Sequence, residues 1–89
     1  SSAEVDIIIS HKNLLIPVEV KSGSTGSLKS LHQFVNRSNH PYAVRMFAGE
    51  FSVQKTKTPE GKDYFLMNLP YYLGTKIYEY LDYLMTNYE

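Results

Sequence analysis

The sequence predicts an α/β fold, a mixed sheet of about four or five strands with two helices, and three patterns carry that expectation. Two apolar, β-branched runs, Ile7-Ile8-Ile9 and Leu14-Leu15-Ile16-Pro17-Val18, surround a short polar break, which reads as a β-hairpin. A helical period followed by a strand comes next, the order of a parallel crossover. A second pair of strand-like runs and an amphipathic C-terminal stretch complete the pattern.

The hairpin register can be derived. With Lys12-Asn13 as the turn, Ser10 faces Leu15, Ile8 faces Pro17, Asp6 faces Glu19 and Glu4 faces Lys21. Side chains alternate along a strand, so these pairs share one face. Val5, Ile7, Ile9, Ile16, Val18 and Val20 take the other and form a continuous apolar surface. A one-residue slip would mix the two sets. The register sets Asp6 and Glu19 opposite each other with Cβ atoms roughly 4.5–5.5 Å apart, which is unfavourable unless something positive lies between them.

Ser22-Gly23-Ser24-Thr25-Gly26-Ser27 is a polar connection leading to a helix cap; it lacks the ending of a phosphate-binding P-loop. The spacing of Leu28, Leu31 and Phe34/Val35 predicts a helix over residues 28–39, capped by Ser27 or a nearby hydroxyl and ended by His40-Pro41. Tyr42–Phe47 reads as a strand parallel to the Glu19 strand. Arg45 within it is either a phosphate contact or, the ordinary reading, a solvent-facing residue. Phe51–Lys55 and Tyr64–Leu69 form a second hairpin around the turn chemistry of Thr58-Pro59-Glu60-Gly61-Lys62.

Residues 70–74 connect to a helix over residues 75–87, in which Ile77, Tyr80, Leu81, Leu84 and Tyr88 fall on one stripe. Of eight tyrosines, six lie from Tyr71 onward. This segment is acidic and would repel phosphate, so its rings suit core or protein-interface packing better than base stacking.

The composition of the 89 residues, 43% hydrophobic and 20% charged, describes one small globular domain. Without cysteine there is no disulfide framework and no thiolate metal site, which fits a cytoplasmic location. The histidines, His11, His32 and His40, are too dispersed for a zinc site. No apolar run approaches the ~20 residues of a membrane span. Net charge is zero, but seven Lys and Arg against four Asp and Glu through Lys57 give +3, and two against five beyond it give −3. A basic front half leaves nucleic acid open as a partner without establishing it.

The string Asp6…Glu19-Val20-Lys21 resembles the PD-(D/E)XK nuclease superfamily, whose fold is restriction-endonuclease-like. The longer string, Glu4-Val5-Asp6-Ile7-Ile8-Ile9 through Ile16-Pro17-Val18-Glu19-Val20-Lys21-Ser22-Gly23 to Leu28-Lys29-Ser30-Leu31-His32-Gln33-Phe34, is most similar to the uncharacterised C-terminal domain of bacterial and archaeal AAA-family ATPases. The resemblance implies Mg²⁺ or Mn²⁺ held by Asp6, Glu19 and the Val20 carbonyl, with Asp6, Glu19 and Lys21 as catalytic residues of phosphodiester hydrolysis. Lys21 would stabilise negative charge developing on the phosphate or orient a nucleophilic water.

Glu4 has two readings, an ion pair with Lys21 or a supplement to the metal site. Gln33 also has two, a solvated helix residue or, as the resemblance offers, a polar residue aimed at the site. Val5 stands where the superfamily usually has Pro. The superfamily core also begins with a helix and a strand that precede the hairpin, so residues 1–89 read as a single nuclease-like domain that is a C-terminal fragment of a larger ATPase chain. The partners implied are nucleic acid, the upstream ATPase domain and a second copy covering an open sheet edge. The alternative is a catalytically inactive module of the same fold, kept for protein–protein assembly or nucleic-acid binding.

Overall fold

The computed structural model describes residues 4–21 and 28–89. Five strands, Ile7–His11 (β1), Leu14–Val20 (β2), Tyr42–Phe47 (β3), Ser52–Lys57 (β4) and Asp63–Pro70 (β5), make one mixed sheet in the order β1-β2-β3-β5-β4. β2, β3 and β5 run parallel, and the outer strands β1 and β4 pair antiparallel to their neighbours. Helix α1 (Lys29–Asn36) connects β2 to β3, and helix α2 (Ile77–Asn87) follows β5. None of the described helices is long and apolar enough to cross a membrane.

The first hairpin has the derived register, from Ile7↔Val18 to His11↔Leu14. Its turn residues, Lys12 (φ 52°) and Asn13 (φ 66°), are both left-handed, as a tight two-residue hairpin turn requires. The ladder stops one pair short of Asp6 and Glu19, because the chain bends at Asp6. Two expectations are corrected at this end of the hairpin. Val5 packs with Leu28 against the α1 side of the sheet, off the apolar face assigned to it. Ile7 and Val20, expected in the continuous apolar surface, are exposed, while Ile16 and Val18 on the same face are fully buried.

Alternation along the central strands divides the core. Ile16, Val18, Tyr42, Val44, Met67 and Leu69 meet Ile77, Leu81 and Leu84 of α2. The intervening residues Ala43, Tyr64 and Leu66 meet Leu31 and Val35 of α1. Each fully buried aliphatic side chain contributes roughly 1.5–3 kcal/mol by leaving water.

Helix α1 is shorter than its hydrophobic period. Leu28 stands at its N-cap without a side-chain cap bond, and the Ser27 cap lies outside the described residues. At the other end Lys62, from the β4–β5 turn, donates to the carbonyls of Val35 at 2.8 Å and Ser38 at 2.7 Å. The ammonium thereby adds a charged donor at the helix end, to the Ser38 carbonyl and to the Val35 carbonyl that also accepts the Ser38 N–H. The expected connector at residues 70–74 is a 3₁₀ segment, Tyr71–Lys76, that runs into α2.

His40 fastens the start of β3. Its Nδ1 accepts the Tyr42 N–H at 3.1 Å, so the proton of the neutral ring is on Nε2, which donates to the Leu15 carbonyl at 2.6 Å.

Candidate functional site

The parallel register sets the site. On the face that carries α1, the layer Ala43–Leu66 is apolar and packs under Leu31 and Val35. Two residues further along each strand the layer becomes polar: Glu19 on β2 faces Arg45 on β3, Arg45 faces Asn68 on β5, and Asn68 faces Ser52 on β4. This row lies toward the carboxyl ends of the three parallel strands, where open α/β sheets commonly bind ligands.

Glu19 is the anomaly in the row. Its side chain is 14% exposed, and its Oε1 is buried with no hydrogen-bond partner among the described residues. Oε2 lies 3.5 Å from Lys21 Nζ, a long contact between neighbours on the same strand face. Buried polar atoms are almost always paired, and an orphan acceptor costs about 1–3 kcal/mol. Asp6 stands at the same strand end. Its Oδ2 accepts the Val20 N–H at 2.8 Å, so its carboxylate reaches the backbone of β2 and does not oppose Glu19 across a ladder pair.

The row continues through an ordered network. Arg45 Nε donates to Asn68 Oδ1 at 2.8 Å, and Asn68 Nδ2 donates to Ser52 Oγ at 3.1 Å and Gln54 Oε1 at 2.9 Å. The Arg45 guanidinium also lies over the Phe47 ring, 5.9 Å from its centroid. Behind this network, burial pushes the Tyr64 phenol up to about 12, with the nearby Arg45 charge opposing the shift.

The structure thus places Asp6, Glu19, Val20 and Lys21 together at the end of β2. The other expected residues stand apart. Among the described residues Glu4 makes no ion pair; Lys21 pairs with Glu19, because the bend at Asp6 carries the chain out of the register that would have set Glu4 against Lys21. Gln33 lines a cavity of about 300 Å³ with Leu28, Lys29, His32, Pro59 and Glu60, between α1 and the β4–β5 turn.

The sequence does not single out Asn68, Ser52 or Gln54, and of the two readings it offers for Arg45, a phosphate contact and the ordinary solvent-facing residue, the half-buried side chain departs from the second. One signal was available: Asn68 interrupts an otherwise apolar strand, Tyr64–Leu69, and a polar residue buried in a central strand needs partners.

Hard oxygen donors are what a small divalent cation requires, and it usually keeps several waters beside one or two carboxylates. The unpartnered Glu19 Oε1, on the strand end whose Val20 N–H the Asp6 carboxylate holds, fits such an ion. Among the described residues no group of three or more His, Cys, Asp or Glu side chains comes together.

No curated protein and no solved structure matches this chain. A family match covers residues 1–72, from before the hairpin to the start of the 3₁₀ segment, and contains every residue of the polar row. On that match the chain belongs to the DUF4143 family, described as a domain of unknown function.

Proposed function

We propose that this chain is a divalent-metal-dependent nuclease-type domain that hydrolyses phosphodiester bonds, with Asp6, Glu19 and Lys21 as its working residues. The observation that carries the reading is the buried Glu19 Oε1, unpartnered among the described residues, on a strand end where Lys21 Nζ lies 3.5 Å from Glu19 Oε2 and the Asp6 carboxylate holds the Val20 N–H. A surface ion-pair network leaves no reason to bury an acceptor without a donor, whereas a cation site does.

Asp6 and Glu19 would hold Mg²⁺ or Mn²⁺ with the Val20 carbonyl as a further donor. When bound, the cation supplies Lewis acidity at the phosphate and lowers the pKa of water. Lys21, held beside Glu19, places a positive charge where oxygen charge develops during hydrolysis. The Asp6–Val20 bond fixes the Asp6 carboxylate to the rigid strand that carries Glu19, a preorganising contact. The same resemblance suggests that the domain is joined to an AAA-family ATPase and works in the cytoplasm on nucleic acid.

A second reading is favoured by a different observation: Tyr71, Tyr72, Tyr78 and Tyr83 are exposed on the C-terminal segment. Aromatic rings in solvent suit a protein interface, and in this reading the domain is a non-catalytic assembly module.

The two readings separate in a cleavage assay on end-labelled DNA and RNA with Mg²⁺ or Mn²⁺. The nuclease reading expects cleavage that disappears in Glu19→Gln and Lys21→Ala. Absence of cleavage with either metal on every substrate would leave the assembly module as the better account.

A further inference from the structure

We propose that Arg45, held by Asn68, grips a backbone phosphate of the nucleic-acid substrate beside Asp6, Glu19 and Lys21. The inference rests on the nuclease reading and adds to it a substrate-positioning residue.

The argument starts from the cost of Asn68. This side chain is 2% exposed in a strand whose neighbours Leu66, Met67 and Leu69 are fully buried and apolar. A buried amide is tolerated only when its hydrogen bonds are made. Here both ends are occupied and the orientation is determined. Arg45 Nε can only donate, so Oδ1 must face it, which turns Nδ2 toward Ser52 Oγ and Gln54 Oε1. Three side chains from two strands therefore aim one carbonyl oxygen at one guanidinium.

That arrangement holds Arg45 by Nε alone. Its contact with the Phe47 ring restrains the guanidinium plane from the side. The fit of Phe47 depends on Gly49, since a Cβ there would run into the ring. Among the described residues the two Nη groups donate to no acceptor. Glu19, on the adjacent strand at Arg45's own level, makes no ion pair with it. A half-buried arginine whose plane is held and whose fork is unpaired is preorganised for a planar or tetrahedral oxyanion, and phosphate accepts such a fork through two oxygens. Arg45 and Glu19 are Cα partners, so the two side chains leave adjacent strands, about 4.8 Å apart, at the same level of the sheet. Lys21, two residues beyond Glu19 on the same face, adds a second positive charge. An anion arriving at this row meets both cations.

The test uses this chain and a fluorescein-labelled DNA duplex, with an RNA strand of the same sequence, followed by fluorescence anisotropy over a KCl series. Arg45→Gln is expected to weaken binding roughly tenfold and to lower the slope of log K against log salt by about 1. Arg45→Lys keeps the charge and loses the fork, so its slope should remain while part of the affinity goes. Asn68→Asp keeps an acceptor for Nε but neutralises the guanidinium. It should weaken binding like Arg45→Gln with the fold intact by tyrosine near-UV circular dichroism.

A purely structural Arg45 predicts the opposite for Asn68→Asp, which would strengthen the β3–β5 contact and leave the salt slope unchanged; that result overturns the proposal. So does Arg45→Gln with wild-type affinity and slope, or a wild-type chain that binds neither nucleic acid. Cleavage separates this proposal from the reading beneath it. Cleavage lost in Glu19→Gln but untouched by Arg45→Gln removes Arg45 alone. Binding lost in Arg45→Gln by a chain that never cleaves supports the phosphate grip and removes the chemistry.

Discussion

The Asp6 carboxylate accepts the backbone N–H of Val20 at 2.8 Å, which ties the residue before β1 to the strand that carries Glu19. Asn offers the same acceptor oxygen without the charge, so Asp6→Asn should fold with stability within about 0.5 kcal/mol of wild type, while Asp6→Ala should lose about 1 kcal/mol. Calorimetry with Mn²⁺ and Mg²⁺ should show saturable binding to the wild-type chain and none to Asp6→Asn. Equal metal binding by the two would mean that Asp6 serves the backbone alone.

Glu19 makes the complementary case. With a chelator present its buried Oε1 has no partner, so removing the charge in Glu19→Gln relieves a desolvation cost of about 1 kcal/mol or more and leaves Lys21 a neutral acceptor. In urea titrations with EDTA this variant should be at least as stable as wild type. With Mg²⁺ present the order should reverse, because only the wild type gains from binding. A loss of more than about 1 kcal/mol under chelation would assign the carboxylate to the fold.

What could be read from the chain, and what could not, follows the range of the interactions. The first hairpin was legible from Ile7 to Val18 because turn and alternation are local: Lys12-Asn13 fixes the register, and Ile16 and Val18 identify the inner face. Tyr42–Phe47 was legible because Pro41 and Gly49 punctuate it. The bend at Asp6 was not, since it depends on a side chain bonding to a strand fourteen residues away in sequence. Nor was the 3₁₀ conformation of Tyr71–Lys76, where Gly74 leaves room for Met46. The polar row was the least legible part of the site. Glu19, Arg45, Asn68 and Ser52 align only once β2, β3, β5 and β4 are in register, and no local pattern sets that order. The charged trio at Asp6, Glu19 and Lys21 had a recognisable spacing; the neutral residues that hold Arg45 had none.

His40 should give the fold a pH dependence near neutrality. Burial lowers its pKa below the ordinary 6.5; the Leu15 carbonyl opposes that shift and the Lys62 charge adds to it. Burial lowers His32 as well, against an opposing effect of Glu60. In each case the unfolded chain takes up a proton before the folded one does. Their contribution to stability is therefore fully present above about pH 6.5 and is lost as pH falls through the lower folded-state values. Protonating His40 also sets an Nδ1–H against the Tyr42 N–H, which breaks the fastening of β3. Urea unfolding between pH 8 and 5 should show stability declining with acid, with the His40 ring resonances titrating below 6.5. Asp63 and Asp82 are shifted down from 3.8, so their effects belong to lower pH and do not confuse this range. A flat profile with His40 titrating normally would contradict the assignment.

Lys62 gives the sharpest stability prediction, because a single ammonium joins the β4–β5 turn to the end of α1. It donates to Val35 and Ser38 carbonyls, and burial lowers its pKa, so both bonds form away from full solvent screening. Lys62→Met keeps the length and most of the apolar stem but leaves those two carbonyls without the donor. Hydrogen bonds to a charged group contribute about 1.5–3 kcal/mol, so a loss near the lower end is expected, with the urea m-value unchanged. Because the helix end is what loses its partner, amide exchange at Arg37 and Ser38, whose N–H groups bond to the Phe34 and Val35 carbonyls, should accelerate more than exchange in β3. The backbone N–H of residue 62 still donates to Thr58 Oγ1 in the variant, so the turn itself should persist. Uniform acceleration across the sheet would mean that Lys62 supports the fold globally and does not act as the cap of α1.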